Sequence, residues 1–157
     1  MKVYIGIDPG FKNGGIAVFG KTIDIYKMPE EFPDIYDLFL EIKEKYNSDE
    51  IIAVLENVGH GIPGQSSKAT ASFARHNGHL EMALYALNIR TVKVTPQKWQ
   101  KYFSNSLGTI VKEKDMGKTE WKNKLKSLAK QMYPDVKTTL YSADAILLAD
   151  YGKHMVM

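Results

Sequence analysis

Residues 3–19 read VYIGIDPGFKNGGIAVF, two runs of β-branched and apolar residues separated by a turn rich in glycine. Residues 3–7 and residues 14–19 have the composition of short strands. A third such run, residues 22–26, follows the turn signal Gly20-Lys21. The chain is therefore predicted to begin with three consecutive antiparallel strands.

Helical and strand patterns alternate through the rest of the chain. Apolar residues at helical spacing predict helices behind Pro33, over residues 69–87, up to about residue 133, and over residues 142–151. Asp34 and Thr119 are the expected caps, and Gly152 is the expected end of the last helix. Residues 51–55 and 91–94 are predicted strands, and Thr95-Pro96 opens a short helix. Residues 57–68 are predicted to form a surface loop and residues 104–118 to be irregular, so the order indicates a layered α/β domain.

Length and composition narrow the class of protein. The 157 residues suit one domain over residues 1–157, and 44% hydrophobic with 25% charged residues is ordinary globular composition. The chain has no cysteine, which excludes a disulfide framework, a thiolate nucleophile and Cys-ligated zinc. No signal-peptide pattern and no run near about 18 apolar residues is present, so a cytoplasmic protein without a membrane partner is expected.

Charge is unevenly distributed along the chain. The net charge of +3 is weak evidence for a nucleic-acid ligand, but residues 93–130 carry ten lysines against three acids. Lys122, Lys126 and Lys130 recur every four residues, and Lys118 lies just ahead of them. Such a face can follow a phosphate backbone, although a merely solubilising lysine face has the same pattern.

Three carboxylates emerge from apolar elements. Asp8 follows the first strand, Glu56 ends the run at residues 51–55, and Asp144 lies between two alanines. Each has an ordinary alternative, namely a turn residue, a salt bridge and an exposed helical acid. If they converge, their oxygens suit Mg²⁺ better than zinc, and two such ions can flank a scissile phosphate. The cluster then indicates phosphoryl chemistry.

Four segments carry a family resemblance. GIDPGFKNGGIAVF (6–19), VLEN (54–57), KVTPQKWQK (93–101) and SADAILLADYG (142–152) resemble the RuvC family of Holliday junction resolvases, most closely its bacteriophage branch. The resemblance spans nearly the whole chain and implies an RNase H-like α/β fold, with a mixed five-stranded sheet flanked by helices. It also implies a homodimer in the cytoplasm of a bacterial host, Mg²⁺ with Mn²⁺ as substitute, and cuts in branched DNA during recombination and repair.

The resemblance assigns roles to individual residues. Asp8, Glu56 and Asp144 match the family's metal ligands. The lysine face, and not the resemblance, is the basis for expecting Lys118 and Lys122 near the cleaved phosphate, with Lys122 in a catalytic role. Tyr141 stands where the family often has an acid or a histidine, and its protonated phenol is a poor magnesium ligand. Asp135 and Asp150 are the alternative candidates for a further ligand.

Other segments offer possible DNA and dimer contacts. His60 or Ile62, in the loop after Glu56, is expected to reach unpaired bases at a branch point, and Arg75 with its neighbours His76 and His79 to contact phosphate or a partner subunit. An ordinary connecting loop and incidental histidines are equally good explanations. The helix over residues 69–87 is the dimer element by resemblance, whereas its apolar stripe alone also suits packing on the sheet.

Other classes of function stay open at the level of sequence. They are a non-catalytic module that binds branched DNA, an RNase H-like nuclease acting on another nucleic acid such as an RNA–DNA hybrid, and an ATP-binding or phosphotransfer protein of related fold. The length of 157 residues leaves no room for the second lobe of an actin-like protein.

Overall fold

A computed structural model describes residues 1–58, 64, 66–106 and 116–157, with residues 105 and 106 described by their backbone alone. The strands are β1 (Lys2–Asp8), β2 (Gly15–Phe19), β3 (Ile23–Lys27), β4 (Glu50–Glu56) and β5 (Arg90–Val94). The α-helices of the described ranges are α1 (Phe32–Lys45), α2 (Ser67–Ala86), α3 (Pro96–Lys101), α4 (Lys118–Met132) and α5 (Leu140–Met155). A π-helical turn over Tyr102–Ser106 follows α3.

The strands form one mixed sheet in the order β3-β2-β1-β4-β5. The first three strands are antiparallel neighbours, whereas β1 pairs with β4, and β4 with β5, in parallel. The predicted mixed five-stranded sheet with flanking helices is confirmed. Because β1, β4 and β5 run the same way, their carboxyl ends meet at one edge, where α/β proteins commonly place functional groups.

The two faces of the sheet are covered by different helices. Val3, Ile5 and Ile7 of β1 belong to a buried cluster with residues of α1 and α2. Tyr4 of β1, with Ile52 and Val54 of β4, belongs to the opposite cluster with α3, α4 and α5. Since side chains alternate along a strand, Asp8 lies on the same face as Tyr4, and Glu56 on the same face as Ile52 and Val54. Both acids therefore face α5.

Two glycines permit close packing of α5 on the sheet. A Cβ at Gly6 would overlap the carbonyl oxygen of Ala145 and lie 2.6 Å from the backbone nitrogen of Ala149. A Cβ at Gly152 would lie 2.5 Å from Cγ2 of Val54. The prediction that Gly152 ends the helix was wrong, because this glycine provides room for the sheet while α5 continues to Met155.

Two predicted helix caps were also wrong. α1 begins at Phe32 behind Glu31, so Asp34 lies in the first turn, where its charge favours the helix dipole. α4 begins at Lys118 behind Gly117, which places Thr119 inside the first turn. The predicted start at Thr95-Pro96 is confirmed, since the Thr95 hydroxyl accepts a hydrogen bond from the Lys98 backbone nitrogen at 3.3 Å. No helix in the described ranges has the length and apolarity needed to cross a lipid bilayer.

Candidate metal centre

Three carboxyl groups converge at the carboxyl edge of the parallel strands. Asp8 is the last residue of β1 and Glu56 the last residue of β4, and the pairing of Ile7 with Leu55 places the two acids side by side. Asp144 comes from the second turn of α5. One carboxylate oxygen from each residue lies within 4.8 Å of the other two. The convergence expected from the sequence is therefore present.

The position of Asp144 is set by the packing of α5 at its N-terminal end. The Ser142 hydroxyl accepts a hydrogen bond from the Thr139 backbone nitrogen at 2.8 Å, and the Thr139 hydroxyl accepts one from the Ser142 backbone nitrogen at 3.3 Å. This capping box fixes where the helix starts. Ala145 lies close to Gly6 of β1, and this contact holds the preceding residue, Asp144, beside the end of β1.

Burial makes the negative charge of the cluster unfavourable. Burial, then the charges of Asp144 and Glu56, raise the pKa of Asp8 well above its usual range. Burial raises the pKa of Glu56 to about 7, with the charge of Asp144 adding to it and a hydrogen bond from Trp99 opposing it. Burial likewise raises the pKa of Asp144 to about 6. The three groups therefore resist becoming anions together unless a cation joins them.

The positive charge of Lys122 acts on all three acids. It lowers the pKa of Asp8, Glu56 and Asp144, in opposition to burial. The residue lies on α4, which packs against the α5 side of the sheet through Trp121, Leu125 and Leu128. Lys122 itself is exposed to solvent. It thus lies where an incoming anion meets the carboxylate cluster.

Sequence reasoning missed Trp99 as a residue of the site. Its indole Nε1 donates a hydrogen bond to Oε2 of Glu56 at 2.7 Å, and its side chain is fully buried. Trp121 on α4 donates to Oε1 of Gln100 at 2.9 Å. The tryptophan in KVTPQKWQK was the available signal, because a buried indole N–H needs an acceptor. The sequence does not identify that acceptor.

The remaining predicted residues lie in varied places. Lys118 and Lys130 are exposed on α4, Lys126 is half-buried on the same helix, and Arg75 is exposed on α2. His76 is buried, with its ring 6.0 Å from that of Phe11, in the turn after Asp8. His79 packs its ring 5.4 Å from that of Phe32. His60 and Ile62 lie outside the described residues.

Of the three suggested further ligands, neither Asp135 nor Asp150 joins the carboxylate cluster formed within the described ranges. Tyr141 is half-buried near Gly15, and Asp135 is exposed. Asp150 is buried at the opposite end of α5, where it accepts a hydrogen bond from the Tyr133 hydroxyl and lies 3.4 Å from Nδ1 of His154. Asp150 does not belong to the cluster of Asp8, Glu56 and Asp144.

The donor set fits a hard divalent cation. Three carboxylates within 4.8 Å of one another offer only oxygen ligands, the kind that Mg²⁺ and Mn²⁺ accept. Burial, with repulsion between the acids at Asp8 and Glu56, raises their pKa values, and a bound cation would offset both effects. The chain's residues are thus suited to hold such an ion between β1, β4 and α5.

Magnesium is expected to stabilise the fold more at pH 8 than at pH 5.5. A folded-state pKa of about 7 for Glu56 and about 6 for Asp144, both above ordinary values, means that the folded state binds more protons. Without metal, stability should then fall as the pH rises from about 4 to about 7. Magnesium binds the deprotonated groups, so a concentration of 100 dissociation constants at pH 8 should stabilise by about 2.7 kcal/mol, or about 5 to 10 °C in Tm.

Thermal unfolding followed by circular dichroism tests this dependence. Potassium chloride at matched ionic strength is the control for screening of surface charge. An equal rise in Tm at both pH values, or an equal rise with potassium, would contradict binding at the three acids.

Comparison with known proteins identifies the fold. No protein-family model matches the chain, and no curated protein sequence matches it. Among solved structures, Thermus thermophilus RuvC in complex with a Holliday junction substrate is similar, with a TM-score of 0.67 and 14% identity over 99% of this chain and 97% of that one. A second Thermus thermophilus RuvC structure gives a TM-score of 0.62 and 15% identity, with coverages of 98% and 96%. The predicted RNase H-like fold of RuvC is therefore confirmed.

Proposed function

We propose that the chain is a metal-dependent, structure-selective endodeoxyribonuclease that resolves Holliday junctions and cuts other branched DNA. The observation that carries the proposal is the convergence of Asp8, Glu56 and Asp144 within 4.8 Å at the carboxyl edge of β1 and β4. Three buried carboxylates so close together destabilise the fold, so their presence favours a catalytic role over a structural one. One nuclease domain over residues 1–157 accounts for the site.

Each residue has a separate task in the proposed phosphodiester hydrolysis. Asp8, Glu56 and Asp144 would hold Mg²⁺ or Mn²⁺ with their oxygens. Ions held there would supply activation of the attacking water and stabilisation of the leaving oxygen. Lys122, exposed beside the cluster, offers its ammonium group to the scissile phosphate and to the negative charge that develops there.

The proposed DNA surface extends from the site along α4. Lys118, Lys122 and Lys130 are exposed and Lys126 is half-buried on this helix, so the strand held at the site can continue over it. A Thermus RuvC of the same fold was solved with a Holliday junction substrate, which supports branched DNA as the ligand. Contacts from Arg75, His60 and Ile62 stay predictions, as do bacteriophage origin and a cytoplasmic location.

Cleavage of matched substrates tests the proposal. A labelled four-way junction, a replication-fork mimic, a linear duplex and an RNA–DNA hybrid are incubated with Mg²⁺, Mn²⁺ or EDTA, and binding is measured separately by gel shift in Ca²⁺. Metal-dependent cuts confined to branched DNA are expected. Tight branch binding without cuts would favour a non-catalytic binding module, and preferential cutting of the hybrid would favour a ribonuclease.

We also propose a homodimer built on α1 and α2. Met82 and Tyr85 on α2 are 63% and 78% exposed, and Phe32 and Tyr36 on α1 are 61% and 40% exposed. Phe32, Tyr36 and Met82 line one groove between the two helices, and Tyr85 extends the apolar surface toward β5. A second copy is the occupant that the RuvC-like fold and the homodimer expected from the sequence favour. Apolar side chains grouped this way are typical of interfaces.

Met82→Lys is expected to raise the dimer dissociation constant by about 30-fold or more, since burying an unpaired charge at an interface costs about 2 kcal/mol or more. Met155→Lys is the matched control, because Met155 is a helical methionine that is 53% exposed outside this groove. Sedimentation equilibrium measures both constants. Identical behaviour of the two variants would contradict a dimer through α1 and α2.

A further inference from the structure

The hydrogen bond from Trp99 to Glu56 joins a rigid side chain to a candidate metal ligand. The bond is 2.7 Å long and buried, and Glu56 is only 8% exposed. An indole N–H is a donor only, so its partner must offer a lone pair, as a carboxylate does. The bond uses Oε2 of Glu56 as acceptor, and the same carboxyl group offers an oxygen to the cluster with Asp8 and Asp144.

Trp99 itself is held on several sides. α3 starts at a defined residue because Thr95 caps it and Pro96 opens it. The Trp99 ring packs edge-to-face on Phe103 with centroids 6.3 Å apart, and both side chains are fully buried. The indole therefore has little freedom to follow a rotation of the Glu56 carboxylate.

The next residue ties the same helix to the lysine side of the site. Gln100 accepts a hydrogen bond from Nε1 of Trp121 at 2.9 Å, and Trp121 immediately precedes Lys122. Neighbouring residues of α3 thus contact β4 on one side and α4 on the other. The Trp121 indole donates to Gln100, whereas the Trp99 indole donates to a carboxylate of the cluster, so the two tryptophans form a matched pair for comparison.

We propose that Trp99 is a positioning residue for the metal site: its indole N–H fixes the rotamer of Glu56 so that the carboxylate is preorganised to bind the ion. The proposal rests on the proposed function to the extent that Glu56 is a metal ligand. Preorganisation of a ligand by a neighbouring hydrogen bond saves the ordering cost on binding, and losing such a partner typically lowers metal affinity about 10- to 100-fold.

The chain offers a direct spectroscopic test because it contains two tryptophans, Trp99 and Trp121. Each indole N–H gives one resonance in a ¹H–¹⁵N NMR spectrum of the full chain, and Trp99→Phe and Trp121→Phe assign them by deletion. Titration with Mg²⁺ in the absence of DNA should move the Trp99 resonance far more than that of Trp121. Because no DNA is present, this measurement does not depend on cleavage.

Metal affinity distinguishes positioning from mere packing. Trp99→Phe keeps an aromatic ring but removes the N–H, so it should lower Mn²⁺ affinity, measured by calorimetry, about 10- to 100-fold. Trp121→Phe is the matched control, since it removes the equivalent N–H beside Gln100 and should leave Mn²⁺ affinity near that of the parent chain. Unfolding curves check that both variants are folded before titration.

The outcomes separate this inference from the proposed function. An unmoved Trp99 resonance during saturation with Mg²⁺, or equal Mn²⁺ affinity in folded Trp99→Phe and the parent chain, would overturn the positioning role even if the chain cuts junctions. A Trp99-specific shift with the expected loss of affinity would support it, even if no branched DNA were cut and the nuclease proposal failed.

Discussion

Asp8→Asn is expected to reduce metal-dependent cleavage of branched DNA by about 1,000-fold or more, because a lost ligand removes several kcal/mol of transition-state stabilisation. Asp8 ends the central strand β1, with Glu56 on the neighbouring strand and Asp144 on α5 beside it. An amide keeps the size of the side chain but lacks the charge that holds a cation. Affinity for a four-way junction measured by gel shift should persist.

The same variant has a second, opposite effect on stability. Burial and two neighbouring acids raise the pKa of Asp8, so its ionised form is unfavourable without metal. Asp8→Asn should therefore raise the Tm of the metal-free chain at pH 8 while abolishing the stabilisation by Mg²⁺. Asp135→Asn is the matched control, because Asp135 is exposed and outside the cluster. Undiminished cleavage by Asp8→Asn would remove the basis of the proposed metal site.

Gly6→Ala is expected to destabilise the fold by about 3 kcal/mol or more, the upper part of the range for overpacking, since the obstructing atoms belong to helix backbone. The added methyl would overlap the carbonyl oxygen of Ala145, so α5 must move away from β1. That displacement also withdraws Asp144 from Asp8. Chemical denaturation measures the first effect, and Mn²⁺ calorimetry on the folded fraction measures the second.

Gly78→Ala provides the comparison for the glycine substitution. Gly78 lies in the interior of α2, and a Cβ there has no neighbour within 4 Å. Alanine favours a helix over glycine by about 1 kcal/mol, so this variant should gain stability. Sedimentation shows whether the oligomeric state is unchanged, since Gly78 borders the proposed dimer surface. A Gly6→Ala variant as stable as the parent would contradict tight contact between β1 and α5.

Local patterns predicted the individual strands, whereas the mixed sheet and the gathering of the acids into one site were expected from the family resemblance. The apolar runs before Asp8 and Glu56 are strands because their residues are β-branched and buried, and each acid is the last residue of its strand. Because β1 and β4 are parallel neighbours, their carboxyl ends meet at the same edge of the sheet. The assignment of Asp144 depended on the family resemblance, because one acid in an alanine-rich helix has no directional pattern of its own.

Long-range contacts explain what the sequence did not predict. Trp99 and Glu56 are 43 residues apart, and only the tertiary structure shows that the indole reaches this acceptor. Gly152 looked like a helix terminator, yet its contact with Val54 comes from a strand nearly a hundred positions earlier. The caps of α1 and α4 were misplaced by two or three residues because neither helix has an N-cap residue that caps it with a side-chain hydrogen bond, which is the signal the sequence pattern assumes.

The alternation of β1 and β4 between the two faces has a consequence for natural variation in chain length. Asp8 and Glu56 face α5 only because each lies an even number of residues from Tyr4 and Ile52 on the same face. Losing or gaining a single codon within either strand would turn its acid toward α1 and α2. A change of length within β1 or β4 is therefore expected to break up the carboxylate cluster, whereas a substitution within these strands keeps its register.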